Sequence, residues 1–170
     1  GGPPGQDEAL PAWTELGCRQ CPNCPLSAAT TRHCPMAASM APLIAAFNRH
    51  LSYETVTVEV MSSERTVCKT TTIQRAVGSL MGLLAANSGC PRVAFLKPMA
   101  HFHLPFATEQ ETIYRVASMY LLAQYFERSR GREPDWGLEQ LRANYQELQH
   151  VNTAMIKRLR AVSEKDGTLN

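Results

Sequence analysis

Apolar positions repeat every three or four residues over most of this chain and alternate strictly in one short stretch. The first helical run falls at about Met36 to His50, where Leu43, Ala46, Phe47 and His50 share a face and Pro42 starts or kinks the main segment. The alternating stretch follows. Val56, Val58 and Val60 interleave with Thr55, Thr57 and Glu59, Met61 to Glu64 is polar enough to turn, and Arg65 to Thr71 returns as a second strand. A lone two-stranded hairpin is marginal in water, so it is expected to lie against helices or beside further strand. Cys68 is read as a small packed hydrophobe within it.

Thr72 can cap a buried helix over 72–88, with Ile73, Val77, Leu80, Leu83 and Leu84 as its stripe and Gly89 in the left-handed position that ends it. Gly78 and Gly82 lie four apart on one face, which is expected to admit a closely approaching element. The segment 90–107 is rich in rings and broken by Pro91, Pro98 and Pro105; it is expected as an extended, packed connection with a short strand at Val93–Leu96. Thr108-Glu-Gln-Glu111 is a capping box opening a helix to about Ser129. Gly131, Pro134 and Asp135 then turn the chain, with Asp135 as N-cap of a last helix over roughly 136–165.

In that last helix Leu138, Leu141, Tyr145, Leu148, Asn152, Met155, Leu159 and Val162 form a narrow seam. Such a stripe packs along one partner. The preceding helix is the obvious one, giving an antiparallel αα-hairpin over 108–165 with Asn152 fixing register. An intermolecular coiled coil is the alternative, so a protein partner or a homo-oligomer through 136–165 is expected. The fold class is therefore α+β: mostly helical, with a β-hairpin, a long αα-hairpin and a cysteine-rich metal loop at 13–37. A Gly/Pro-rich flexible arm, 1–12, precedes a single domain over 13–170. The seam is still open where a polar SEKDG stretch leads to Asn170, which points to a longer natural protein.

Composition narrows the classes. With 44% hydrophobic and 19% charged residues the 170-residue chain is globular, and a net charge of +2 argues against nucleic acid or an anionic membrane as the main partner. No apolar run approaches the roughly 20 residues that span a bilayer. The opening GGPPGQDEALPAW lacks the basic and then apolar run of a secretory signal, so a cytoplasmic location is expected. In that compartment clustered cysteines bind metal more often than they form disulfides.

The candidate chemistry is concentrated in CRQCPNCPLSAATTRHCP, residues 18–35, which holds four of the six cysteines. Cys21 and Cys24 make a Cys-x2-Cys knuckle over which Cys34 can close. A zinc ion takes four tetrahedral ligands at about 2.0–2.3 Å. The fourth is drawn from Cys18, His33, Cys90 and His103, with Cys90 favoured because Gly89-Cys90-Pro91 sets a thiol at a helix end. An iron–sulfur cluster is the runner-up: Cys-x2-Cys-x2-Cys and Cys34-Pro35 resemble a ferredoxin run, but the gap before Cys34 is too long. Arg92, Lys97 and His101, with His103, make 92–106 the candidate contact for a small anionic ligand. No Gly-rich phosphate loop, HExxH or GxSxG occurs, and no acid/base pair is evident.

The stretches CPNCPL (21–26), HCPMA (33–37), TTIQRAVGSLMGLLAANSGCP (71–91), FLKPMAHFHLPF (95–106) and ETIYRVASMYLLAQYF (111–126) resemble a bacterial family of uncharacterised proteins without assigned activity. The resemblance implies thiols at Cys21, Cys24, Cys34 and Cys90 and a histidine at His103, whereas Cys18 and His101 are less typical of it. The expectation is a zinc-stapled interaction or regulatory protein without turnover. The rivals are an Fe–S or thiol-based redox sensor and an anion binder.

Overall fold

The structure, a computed structural model, describes residues 10–47 and 50–165, the side chains of 163–165 excepted. Most of the expected arm lies outside the described residues; Ala12–Thr14 form a 3-10 turn. Five α-helices and one hairpin follow: α1 Pro35–Phe47, β1 Thr55–Met61, β2 Thr66–Thr72, α2 Ile73–Asn87, α3 Lys97–His101, α4 Glu109–Ser129 and α5 Glu139–Lys165. The class is thus mixed α and β.

The hairpin pairs Thr55 with Thr72 and Met61 with Thr66, and its valine face is half-buried while it leans on α2. Within this register Val67 takes the inner side and Cys68, opposite Glu59, the outer one. Cys68 is therefore exposed, not packed as expected, because strict alternation gives the inner face to its neighbour. Thr72 accepts the Arg75 N–H to cap α2, and Gly89, at φ 83°, turns the chain out of it towards Cys90.

The segment after Cys90 is helical, not extended. Pro91–Leu96 is a 3-10 turn and α3 follows directly. Pro91 and Pro98 each sit in a first turn, where a fixed φ and a missing N–H are no handicap, so both prolines start turns that were expected to be broken. No strand forms at Val93–Leu96.

The core gathers the first 3-10 turn, the cysteine loop, α1, the end of α2 and the middle of α5. Leu16, Ala37, Met40, Val93 and Val151 are its most enclosed side chains. Here α5 departs in part from the expected seam. Leu141, Val151, Ala154, Met155 and Arg158 are buried, while Asn152 is exposed. The expected seam is kept by Leu141, Leu148, Met155 and Leu159 and widened on one flank by Val151, Ala154 and Arg158, while Asn152 turns out of it. Nor does α4 supply its partner. The main contacts of α5 are with the 3-10 turn Pro91–Leu96, whereas α4 contacts α3 and buries no residue fully. The antiparallel αα-hairpin is replaced by two helices joined at a turn, and the inner face of α5 is filled by this chain's own amino-terminal segments.

That turn is held by Asp135. Its carboxylate accepts the N–H groups of Glu139 (3.0 Å) and Gln140 (2.9 Å) and the Tyr120 hydroxyl (2.9 Å). The capping role expected of Asp135 is kept, although α5 begins only after Leu138, which is left-handed at φ 61°. Hydrogen bonds from the Gln140 backbone above all, then from Glu139 and Tyr120, hold this carboxyl below the usual carboxylate range. A depressed folded-state pKa contributes stability above the unfolded value and loses it as pH falls through the folded one. Asp135→Asn, which has one acceptor oxygen instead of two, is expected to lower the melting temperature at pH 7, and the gap to the parent should narrow in scans below about pH 4. A gap of equal size at both pH values would refute the charge contribution.

Candidate metal centre

Three separate pieces of chain bring sulfur to one end of the core. The cysteine loop supplies Cys21 and Cys24, whose backbones close a tight turn through the Cys24 N–H to the Cys21 carbonyl, 3.0 Å. Cys34 stands just before α1, its N–H bonded to the Thr14 carbonyl at 2.8 Å. Cys90 follows the left-handed Gly89 at the end of α2. Cys34 and Cys90 are buried in the core cluster, and Cys21 and Cys24 pack half-buried against it.

The electrostatics record how close the four are. Burial first, and then the neighbouring Cys34, Cys24 and Cys90, push the Cys21 thiol up to about 11. Burial also raises Cys90, while the backbone N–H groups of Arg92 and Val93 beside it work the other way and favour the thiolate. Those two donors come from the 3-10 turn that Pro91 starts. Local geometry thus prepares this sulfur to carry charge, while its apolar surroundings oppose that charge unless a cation compensates it.

One cation is already in place. Arg158 of α5 is 1% exposed, and its guanidinium donates to the carbonyls of Trp13 (2.7 Å), Glu15 (2.7 Å) and Leu16 (3.0 Å). It lies close enough to Cys21 to favour the thiolate there. Three backbone acceptors in one short loop use the donor fork of an arginine, which a lysine does not provide. A second tie reaches the loop from the opposite side. Asn23 Nδ2 donates to the Glu147 carbonyl (3.0 Å) and to Glu147 Oε2 (2.8 Å), and Arg92 Nε donates to the Asn23 carbonyl (2.7 Å). Arg158 and Asn23 were not singled out in the sequence. An arginine at the edge of an apolar stripe reads as a solvated residue, and only the carbonyls around it, more than 140 positions earlier, reveal its role.

The alternative ligands fall elsewhere. Cys18 lines a separate apolar groove with Trp13, Ala41 and Ile44. His33 is oriented by Thr14, whose hydroxyl donates to the Pro11 carbonyl (2.7 Å) and so receives His33 Nδ1–H at 2.8 Å, which leaves Nε2 as its metal-binding nitrogen. His103 is half-buried beside α2 and α4, and burial first, then Arg115, pulls its pKa down. The proposed anion contacts are also dispersed. Arg92 is held by Asn23 and lies 3.8 Å from Glu147, Lys97 is exposed at the start of α3, and exposed His101 stacks edge-on against Phe102. His101 and His103 do not share a side, because the segment carrying them is helical up to His101.

All six cysteines are free thiols. Among the described residues no three His, Cys, Asp or Glu side chains stand around one point as a closed ligand set. Nor is any described helix long and apolar enough to cross a membrane.

A family model described as a domain of unknown function, DUF6901, matches residues 3–170. No curated protein and no solved structure matches the chain.

Replacing Arg158 by Met keeps apolar bulk but leaves three carbonyls short of a donor, each unpaired buried group costing about 1–3 kcal/mol. Arg158→Met is accordingly expected to lose most of the stability in urea unfolding, whereas Arg160→Met, on the exposed side of the same helix, should change it by less than about 0.5 kcal/mol. Equal effects would show that the loop is held by something else.

Proposed function

We infer the role of this chain, which belongs to the DUF6901 family of unknown function, from the meeting of its four sulfurs: it is a metal-stapled interaction or regulatory domain that acts without turnover. The single observation behind this reading is that Cys21, Cys24, Cys34 and Cys90, from three chain segments, gather at one core cluster, where burial first and then the neighbouring Cys34 and Cys24 push up the thiols of Cys21 and Cys90. Four thiols are the donor set that zinc takes in structural sites. The sulfurs do not form a closed set as they stand, so binding draws them inward by side-chain rotation and releases their protons. Zinc bound by four thiolates carries two negative charges, and the buried Arg158 guanidinium offsets part of that charge at its rim. The Arg92 and Val93 N–H groups beside Cys90 favour its thiolate before the ion arrives.

The ion would tie the amino-terminal loop to the end of α2 and, through Arg158 and Asn23, to α5. Joining such distant segments stabilises by restricting the unfolded chain. An iron–sulfur cluster uses the same four ligands and is separated from zinc by colour.

Purified protein is expected to be colourless and to carry about one zinc per chain by elemental analysis. Cys24→Ser and Cys90→Ser should each release the metal and lower the melting temperature, whereas Cys18→Ser and Cys68→Ser should keep it. A brown protein with visible charge-transfer absorbance replaces zinc by Fe–S. Metal-free protein after both aerobic and anaerobic purification, or equal metal loss in all four variants, overturns the assignment.

A further inference from the structure

Between the hairpin, α2, α3 and α4 lies a half-open cavity of about 650 Å³, well within the range of small-molecule sites. It is separate from the thiols. One wall is apolar, from Leu83, Leu96, Met99, Leu104 and Phe106. The other carries three cations, Lys69, Arg75 and Arg115, and no acidic residue lines the cavity. None of the three has an ion-pair partner among the described residues. The nearest carboxylate, Glu111, is committed to the capping box, where it accepts the Thr108 N–H at 2.7 Å. Arg115 is fixed in place by donating to the Met99 (3.0 Å) and Phe102 carbonyls.

Two further features show that this space is kept open. Gly78 and Gly82 stand in the middle of α2, where each costs about 1 kcal/mol relative to alanine. They were expected to let another element approach. Instead a Cβ built on either meets nothing within 4 Å, and both line the cavity. Their absent side chains leave room for something other than the chain itself. Phe106, on the apolar wall, is left-handed at φ 57°, a strained state for an aromatic residue. It is held there by its N–H bond to Ser79 Oγ (3.1 Å), with the Lys69 ammonium 5.9 Å from its ring centroid. Ser79 accepts this bond and keeps its own proton to donate. Tyr145, half-buried on the remaining side with its pKa raised by burial, keeps its hydroxyl proton at neutral pH.

We propose that this cavity binds an amphipathic organic anion, its carboxylate or phosphate between Arg75, Arg115 and Lys69 and its apolar body against Leu83, Met99 and Phe106. Guanidinium groups suit either head, since both present paired oxygens. The apolar wall selects against bare inorganic ions, and the unpaired cations select against neutral and cationic amphiphiles.

The test is calorimetric titration of the full chain with decanoate and decyl phosphate, with decanol, decyltrimethylammonium and inorganic phosphate as controls. One or both anionic amphiphiles should bind, and the stronger of the two identifies the head group. The controls should bind at least about tenfold more weakly, the scale of one lost charge-assisted hydrogen bond. Gly82→Leu, which fills the cavity from an open helix position, should abolish binding without lowering the melting temperature. Arg75→Gln, an exposed substitution that leaves the fold intact, should weaken it about tenfold or more. Absence of binding by both anions, equal binding by decanol, or undiminished binding in Gly82→Leu or in Arg75→Gln overturns the proposal.

Discussion

A guanidinium taken out of water must be met by acceptors, and Arg158 meets only backbone: the carbonyls of Trp13, Glu15 and Leu16. The rest of the arrangement depends on this. It clamps the amino-terminal loop to the last helix without a carboxylate, so the positive charge is hydrogen-bonded but not neutralised. Through the Leu16 N–H to the Arg32 carbonyl and the Cys34 N–H to the Thr14 carbonyl, the clamped loop sets where the cysteine segment runs. With Asn23 tied to Glu147 on the other side, the segment is held at two points on α5 and carries its sulfurs between them.

Two halves of the molecule meet at α2. Its last turn delivers Cys90 to the thiols, and its middle, opened by Gly78 and Gly82, forms the floor of the cationic cavity. Ala86 lines that cavity, while Ala85, one position earlier, is packed in the core with Cys34 and Cys90. A single helix therefore contributes to both places, one through its last turn and the other through its middle.

Local rules were legible in the sequence. The valine alternation gave the hairpin, Thr72 and Gly89 bounded α2, and Thr108 with Glu111 opened α4 as a full capping box. Each rests on contacts within a few residues. What failed depends on distant partners. The seam through Leu141, Met155 and Leu159 holds, but Val151 is buried beside it in place of Asn152, and the inward turn of Arg158 is explained by the carbonyls of Trp13, Glu15 and Leu16. Pro91 and Pro98 read as breakers because the sequence does not say whether a proline ends one turn or begins the next. Of the candidate residues, Cys21, Cys24, Cys34 and Cys90 were picked out by spacing and by the helix end, and the fold gathers them at its core, whereas the cations of the cavity were not picked out. These cations come from three elements, β2, α2 and α4, and the segment taken as the anion contact does line the cavity, through Leu96, Met99, Ala100, His103, Leu104 and Phe106, but not through Arg92, Lys97 or His101.

The clamp by Arg158 also has a bearing on biosynthesis. Its partners, the carbonyls of Trp13, Glu15 and Leu16, are made more than 140 residues before the side chain that fixes them. The cysteines of 18–34 therefore wait through the synthesis of those residues in a loop that Arg158 does not yet hold, at typical elongation rates of roughly 5–20 residues per second. During that interval of several seconds they are open to oxidants and to ion donors alike, and the loop is clamped only once α5 has been made.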